Sequence, residues 1–463
     1  MKKITLCLCA IALTFSGLNA QVTLEVGPDK TYTTLKAAWD AAATETATDI
    51  TINVAEGTYV ESATLTALSG KNITFVGVGA DKTIVKRSES TTFALPGTEG
   101  WGTSNANRLF QLNANSDNLS LTLEKMSFET IGYNNVNGGG VINANGTNQQ
   151  FTFRSCNFKN IFARAGAIIQ VQGADTLLKV TFDKCFIEEC GSFNNNGFNA
   201  LLVLQTGSLE VKNTTFMNNS FNALNIGTNG NGTDNNSQQG ALINILNSSR
   251  SLVVENVYMV NNKFILGDTV KTHPMIGVKS KLGPDSVSVL IKNVISVGNK
   301  RTNSFDVDFY YQNVFAPVVE NAIFNAVRNF ERTVVEEVET LTDADVTEIQ
   351  GSVLIDNSLT YTSPSVNFEM DGNLPKVFID ENGVKYLNRL PTGVNEIKSS
   401  GLLIKSNHGM LTITANQPEN ISIYNILGAT IANYNQTTRV DIALPAGTYI
   451  IRTSTLAEKV LVK

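Results

Sequence analysis

Carboxamides are the side chains best placed to do chemistry in this 463-residue chain, because they recur at matched positions in short apolar strands. LFQLNA (from Leu109), VINANG (Val141), IIQVQG (Ile168), LLVLQTG (Leu201), LINILN (Leu242) and MIGVKS (Met275) each alternate apolar with other residues, the period of a strand with one buried face. The outward set is Gln111, Asn113, Asn143, Asn145, Gln170, Gln172, Gln205 and Asn244. An amide donates and accepts hydrogen bonds at once, which suits a hydroxyl-rich ligand such as a polysaccharide. The longest connections enter this same series and bring Trp101, Tyr133, Phe193, Phe198 and the loop GTNGNGTDNNSQQ from Gly227. Insertions gathered on one face of a repeat protein often mark its binding face. The expected binding set is therefore Gln111, Asn143, Gln170, Gln172, Gln205 and Asn244, with Trp101, Tyr133 and Arg164 at the rim. The plain alternative is the solvated side of a sheet.

Catalysis has less to stand on. The face lacks the carboxylate pair of glycoside hydrolysis and the carboxylate cluster of a calcium site. Arg108, Arg164 and Lys271 have the chemistry of a lyase base, with no motif to single one out. His273, beside Pro274, reads as a surface residue. No cofactor and no metal is expected. Whether the chain is an enzyme stays open.

The elements that must hold these side chains show in a second series. LTLEKMSF (from Leu121), FTFRSCNF (Phe151), VTFDKCFI (Val180), LEVKNTTF (Leu209), LVVENVYM (Leu252), VLIKNVIS (Val289) and PVVENAIF (Pro317) are seven copies of one phrase, their starts 30, 29, 29, 43, 37 and 28 residues apart. Each reads as a strand, a corner and a second strand, too short to bury its own apolar face. Stacked in register, such units share a continuous core, which makes a β-solenoid. The fourth position runs Glu124, Arg154, Asp183, Lys212, Glu255, Lys292, Glu320, alternating in sign at every step. Coils stacked about 4.8 Å apart make that column an ion-pair ladder, each exposed rung contributing about 0–1 kcal/mol. A catalytic charge cluster at Arg154, Asp183 and Lys212 is the competing reading. The fifth position becomes Asn213, Asn256, Asn293 and Asn321, an amide column able to pair along the stack.

Of five cysteines, three lie beyond the leader: Cys156, Cys185 and Cys190. Cys156 and Cys185 share one inward column with Met126, Thr214 and Val257, so their Cα atoms are expected about 5 Å apart, inside the disulfide range of about 4.4–6.8 Å. Stacked strands point both Cβ atoms the same way, so free, packed thiols are expected, behaving as small hydrophobes.

The chain opens with Lys2, Lys3, an apolar run from Ile4 to Phe15 and small residues to Ala20, which is the pattern of a secretory signal peptide rather than a membrane span. Thr33 to Ala43 is the clear helix, capped by Thr34, with Leu35, Ala38, Trp39 and Ala42 on one face. It is suited to cover the open end of a solenoid. DITINVAEGTYVES (Asp49 to Ser62) and NITFVGVGADKTIV (Asn72 to Val85) follow. These stretches resemble the first coils of the pectin methylesterase and pectate lyase superfamily, with its V-x-x-G-x-Y-x-E and G-x-G-x-x-K-T-I phrases. The resemblance spans about Tyr32 to Phe324 and implies a right-handed parallel β-helix with a carbohydrate partner. The catalytic phrases Q-A-V-A-L, Q-D-T-L, D-F-I-F-G and W-x-D-H are missing, so it does not carry the esterase or lyase activity.

ERTVVEEVETLTDADVT, from Glu331, reads as a solvated acidic connection; SVLIDNSLTYT and KVFIDENGVKYL are expected to close the last coils. PTGVNEI (391–397) reads as a linker. Residues 398–463 carry ISIYNILGATI, RVDIALPAGTYIIRTS and a terminal AEKVLVK, with turns at His408-Gly409, Leu427-Gly428 and Pro445-Ala446-Gly447. This module resembles the C-terminal sorting domain of type IX secretion cargo of Bacteroidetes. That implies outer-membrane secretion machinery as a partner and delivery outside the cell or onto the outer-membrane surface of a Gram-negative bacterium. The expected class is all-β: signal peptide 1–20, parallel β-helix 21–390 with its capping helix, linker 391–397, and an immunoglobulin-like β-sandwich of about seven strands at 398–463. Net charge −6 and low charge density argue against a nucleic-acid partner, and none is expected. No transmembrane segment is expected.

Overall fold

The computed structural model describes residues 21–87, 108–113, 115–133, 138–163, 165–173, 175, 177–192, 200–222, 242–265, 275–280, 287–297, 299–301, 309–312, 317–320, 322, 327–335, 338–343, 368–371, 374–388, 397–399, 402–407, 409–425, 428–445, 447–453 and 457–462. Two compact units divide the chain: Met1–Ser363 with Ile379–Tyr386, and Pro364–Phe378 with Leu387–Lys463.

The first unit is a parallel β-helix. Its second sheet starts with Val22–Val26, Asp49–Val54, Asn72–Gly77, Ser120–Glu124, Gln150–Arg154 and Lys179–Asp183, each hydrogen-bonded in parallel to the next. The ladder continues through 208–212, 251–255 and 288–292 to Val318–Glu320. The predicted alternating column is in register throughout: Glu124, Arg154, Asp183, Lys212, Glu255, Lys292 and Glu320 are successive Cα partners. The Arg154–Glu124 rung closes at 3.3 Å, whereas Lys212 pairs along its own strand with Glu210 at 2.5 Å.

Corners explain the fifth column. Lys125, Ser155, Lys184, Asn213, Asn256 and Asn293 all adopt φ between 49° and 55°. That left-handed conformation costs most L-residues about 1–2 kcal/mol, and asparagine tolerates it best. The same asparagines pair along the stack, Asn293 Nδ2 donating to Asn256 Oδ1 at 2.9 Å and Asn256 Nδ2 to Asn213 Oδ1 at 3.1 Å. A second left-handed corner recurs at Thr130, Asn160, Glu189, Asn218 and Asn261. Just inside it Asn219, Asn262 and Asn299 form a buried amide ladder: Asn219 Nδ2 donates to Asn262 Oδ1, and Asn262 Nδ2 to Asn299 Oδ1, each at 2.9 Å. The remaining side-chain hydrogens find backbone carbonyls or Ser296 Oγ, and the Asn219 and Asn262 backbone amides donate to the next Oδ1 in the column.

Inward residues of all coils form one apolar core. Phe153 stacks on Phe182 at 4.5 Å and meets Phe158 edge-on at 5.4 Å. The capping helix is Leu35–Thr44; Thr34 accepts from the Ala37 amide, and the four predicted apolar residues are buried. Glu61, the last residue of the V-x-x-G-x-Y-x-E phrase, accepts from the Leu35 and Lys36 amides at 2.6 and 3.2 Å. The phrase thus holds the cap, its carboxylate taking the positive end of the helix.

KVFIDENGVKYL does not close the last coils. Residues 376–387 instead include a hairpin, Val377–Ile379 with Lys385–Leu387, whose turn sits on early coils. Its D-E-N-G turn is local: Asp380 Oδ1 accepts from the Asn382 and Val384 amides, and Gly383 takes φ +74°. SVLIDNSLTYT lies outside the described residues. The acidic stretch from Glu331 contains an antiparallel pair, Val327–Val335 with Val338–Asp343, where a connection was expected.

The C-terminal module has six antiparallel strands among the described residues: Ile397–Ser399, Leu402–Asn407, Met410–Asn425, Thr430–Ala443, Gly447–Arg452 and Ala457–Val462. Seven short strands were expected; the two longest run on through register shifts between Thr414 and Tyr424 rather than breaking. The module has its own core, including Ile404, Ile413, Ile423, Val440 and Ile451. Gly409 and Gly428 take φ +76° and +82° at predicted turns. Tyr449 donates to the Pro445 carbonyl at 3.0 Å, repeating the Tyr59–Ala55 bond of the other G-T-Y phrase.

Candidate functional site

The first sheet carries the predicted amides. Phe110–Leu112, Ile142–Ala144 and Ile169–Val171 pair in parallel and continue through 202–204 to 243–247. Gln111, Asn143 and Gln170 are successive partners, followed by Val203 and then Asn244. Gln111 Nε2 donates to Asn143 Oδ1 at 3.2 Å. This column is not the solvated face expected of it: Asn143, Gln170 and Asn244 are 3%, 1% and 1% exposed, and Val203 joins Ala200 and Leu246 in a small apolar cluster. Only Gln111 is half-buried.

The neighbouring column is open. Asn113, Asn145, Gln172 and Gln205 each follow a paired residue by one step, and the Asn145 and Gln172 amides bond to the Leu112 and Ala144 carbonyls of the coil before. Asn113 and Asn145 are exposed, and Gln172 and Gln205 half-buried. At Gly173, φ is +102° and a Cβ would stand 2.5 Å from Asn145 Oδ1, so glycine leaves room for that amide. Asp117 and Asp175 edge the lane, but their carboxylates accept from the backbone amides of Thr147, Asn148 and Leu177 and serve as turn caps. Four carboxamides about 4.8 Å apart can follow a chain of hydroxyl groups lying along the helix axis.

Trp101, Arg164, Lys271 and His273 lie outside the described residues, as does the side chain of Tyr133, whose backbone ends Ser127–Tyr133. Arg108 is buried at the entrance to the first sheet. Among the described residues no three or more His, Cys, Asp or Glu gather as a metal would require. Asn113 and Asn145 stood in the outward set but not in the expected binding set; their signal is the period-two repeat carried one step further.

Cys156, Cys185 and Cys190 are free and buried. The Cys156 thiol donates to the Leu123 carbonyl at 3.3 Å, and burial pushes its pKa up to about 12; burial also raises Cys185 and Cys190. The thiolate is the reactive form, so native protein should resist alkylation by iodoacetamide. After denaturation without reductant, mass spectrometry should recover all three as alkylated peptides; a linked Cys156–Cys185 peptide would contradict this packing.

No protein-family model and no curated protein matches the chain. Solved structures do. The pectin methylesterase from Aspergillus niger is 16% identical, covering 72% of this chain and 91% of that one at a TM-score of 0.31. Pectin methylesterase PemA from Erwinia chrysanthemi is 13% identical, covering 74% and 95% at 0.29. A PL6 family alginate lyase, AlyGC, is 12% identical, covering 61% and 36% at 0.32. The likeness is one of architecture, and no residue role passes from these proteins to this chain.

Proposed function

We propose that the chain is a secreted or cell-surface β-helix protein that binds a polysaccharide along the first sheet. One observation carries the reading: four consecutive coils present Asn113, Asn145, Gln172 and Gln205 in one open column. Each net hydrogen bond contributes only about 0.5–1.5 kcal/mol, so a lane of this kind works by repetition and suits a polymer better than a small solute. The leader pattern and the C-terminal module support export through outer-membrane secretion machinery.

Glycan-array binding of the purified protein, followed by a product assay on every hit, tests the reading. Binding without turnover is expected. An unsaturated sugar or released methanol would make the protein a lyase or esterase instead, and no bound glycan at all would remove the proposal.

A further inference from the structure

Thr83–Lys86, Ser127–Tyr133, Asn157–Ala163 and Phe186–Glu188 pair in parallel as a third sheet, and Asn157 on it is bonded to a segment 226 residues further along the chain. Its Nδ2 donates to the Gly383 carbonyl at 2.9 Å, and its Oδ1 accepts from the Lys385 amide at 3.2 Å. One side-chain amide thus does what the edge of a strand does, bonding the backbone on both sides of Val384, which is buried. The turn is fastened at two further places. The Ala80 amide donates to the Asn382 carbonyl at 2.8 Å, and Lys385 Nζ pairs with Glu188.

Glu188 ends an alternating column on the third sheet: Lys86, Glu129, Lys159 and Glu188 are successive partners. Lys86–Glu129 closes at 3.6 Å and Lys159–Glu188 at 3.8 Å. Lys385 supplies the next positive charge, where the following coil has Met217. The fit of the turn is close. Gly383 has φ +74°, and a Cβ there would stand 2.0 Å from Asp81 Oδ1 and 2.5 Å from the Asp81 backbone nitrogen. The turn is also held by bonds of its own, with the Gly383 amide donating to Asp380 O and the Asp380 amide to Val384 O.

We propose that the turn within Ile379–Tyr386 is a clasp: it holds three coils of the third sheet, those of Thr83–Lys86, Asn157–Ala163 and Phe186–Glu188, across the Ser127–Tyr133 coil that lies between the first two, and does so only once the chain as far as Tyr386 is present. The coils can stack as they are made, but this stretch of the helix is not locked until a late segment returns to it. That separates the formation of the fold from its final stiffening.

Hydrogen exchange on the full-length protein, read by mass spectrometry, tests the clasp with one variant on each side of the contact, Asn157→Ala and Gly383→Ala. In the wild type, peptides covering 379–386 should exchange at least about tenfold more slowly than unstructured references. Both variants should remove that protection and also speed exchange in 80–86 and 127–131, while 209–212 stays unchanged. If Asn157→Ala unfolds the helix, 209–212 will report it, and Gly383→Ala alone then decides. An unprotected turn in the wild type would overturn the proposal, as would release of the turn with 80–86 unaffected.

Discussion

Replacing Trp39 with alanine should cost about 3–5 kcal/mol, the range for removing a large aromatic from a packed core. Trp39 is 1% exposed, lies parallel to Phe75 at 6.3 Å and meets Phe110 edge-on at 5.5 Å. Its indole nitrogen also donates to the Thr66 carbonyl at 2.8 Å, and alanine leaves that acceptor without its donor. The loss falls where a solenoid is weakest, because among the described residues the first strand, Val22–Val26, pairs with one coil and depends on the cap. Urea unfolding followed by circular dichroism should show the midpoint fall for Trp39→Ala and fall much less for Trp39→Phe. A shift under about 1 kcal/mol for the alanine variant would mean that the helix is not an integral cap.

Glu61→Ala should cost about 1–3 kcal/mol, because it leaves two backbone amides of the capping helix without their acceptor. Arg87 would keep its bonds to the carbonyls of residues 61 and 63 but lose the charge beside it, and the Leu35 and Lys36 amides would lose their acceptors. The pH dependence has a definite sign. Burial raises the Glu61 pKa, only partly offset by the two helix amides and Arg87. The folded protein therefore holds this proton more tightly than the unfolded chain, whose carboxyl titrates near about 4.3. The stability linked to it is complete below that value and is lost as pH rises through the raised folded pKa. Wild type should thus lose stability relative to Glu61→Gln as the pH is raised from about 3.5 to 7. Thermal melts of the two proteins across that range check it, and a difference moving the other way would mean that the amides and Arg87 outweigh burial.

Much of this architecture was legible in the order of residues because parallel stacking repeats one pattern of burial. Leu121, Phe151 and Val180 must be inward together, which sets the partners of Glu124, Arg154 and Asp183. Some columns showed weaker signals. Thr23, Thr51, Thr74, Thr122, Thr152 and Thr181 stack in six consecutive coils, where a β-branched residue suits an outward strand position. The repeated asparagine pairs at Asn218-Asn219 and Asn261-Asn262 mark a left-handed corner followed by a buried amide, a combination that alternation alone does not reveal. The place of the turn within 379–386 is not legible, because its partners, Asp81, Asn157 and Glu188, are about 200–300 residues away and share no pattern with it. At the site, alternation separated inward from outward but could not tell the buried column of Asn143 and Gln170 from the open one of Asn145 and Gln172. That depends on what lies over the sheet, which strand periodicity does not encode.

The lane itself is tested most directly by titrating any glycan found on the array against wild type and the double variant Asn145→Ala, Gln172→Ala. Two lost hydrogen bonds of about 1 kcal/mol each should weaken binding roughly thirtyfold. The melting temperature should hardly move, since Asn145 is exposed and Gln172 no more than half-buried. Thr181→Ala, on the second sheet, should bind as wild type does. Equal affinity in the double variant and wild type would contradict the account and place the glycan elsewhere on the molecule.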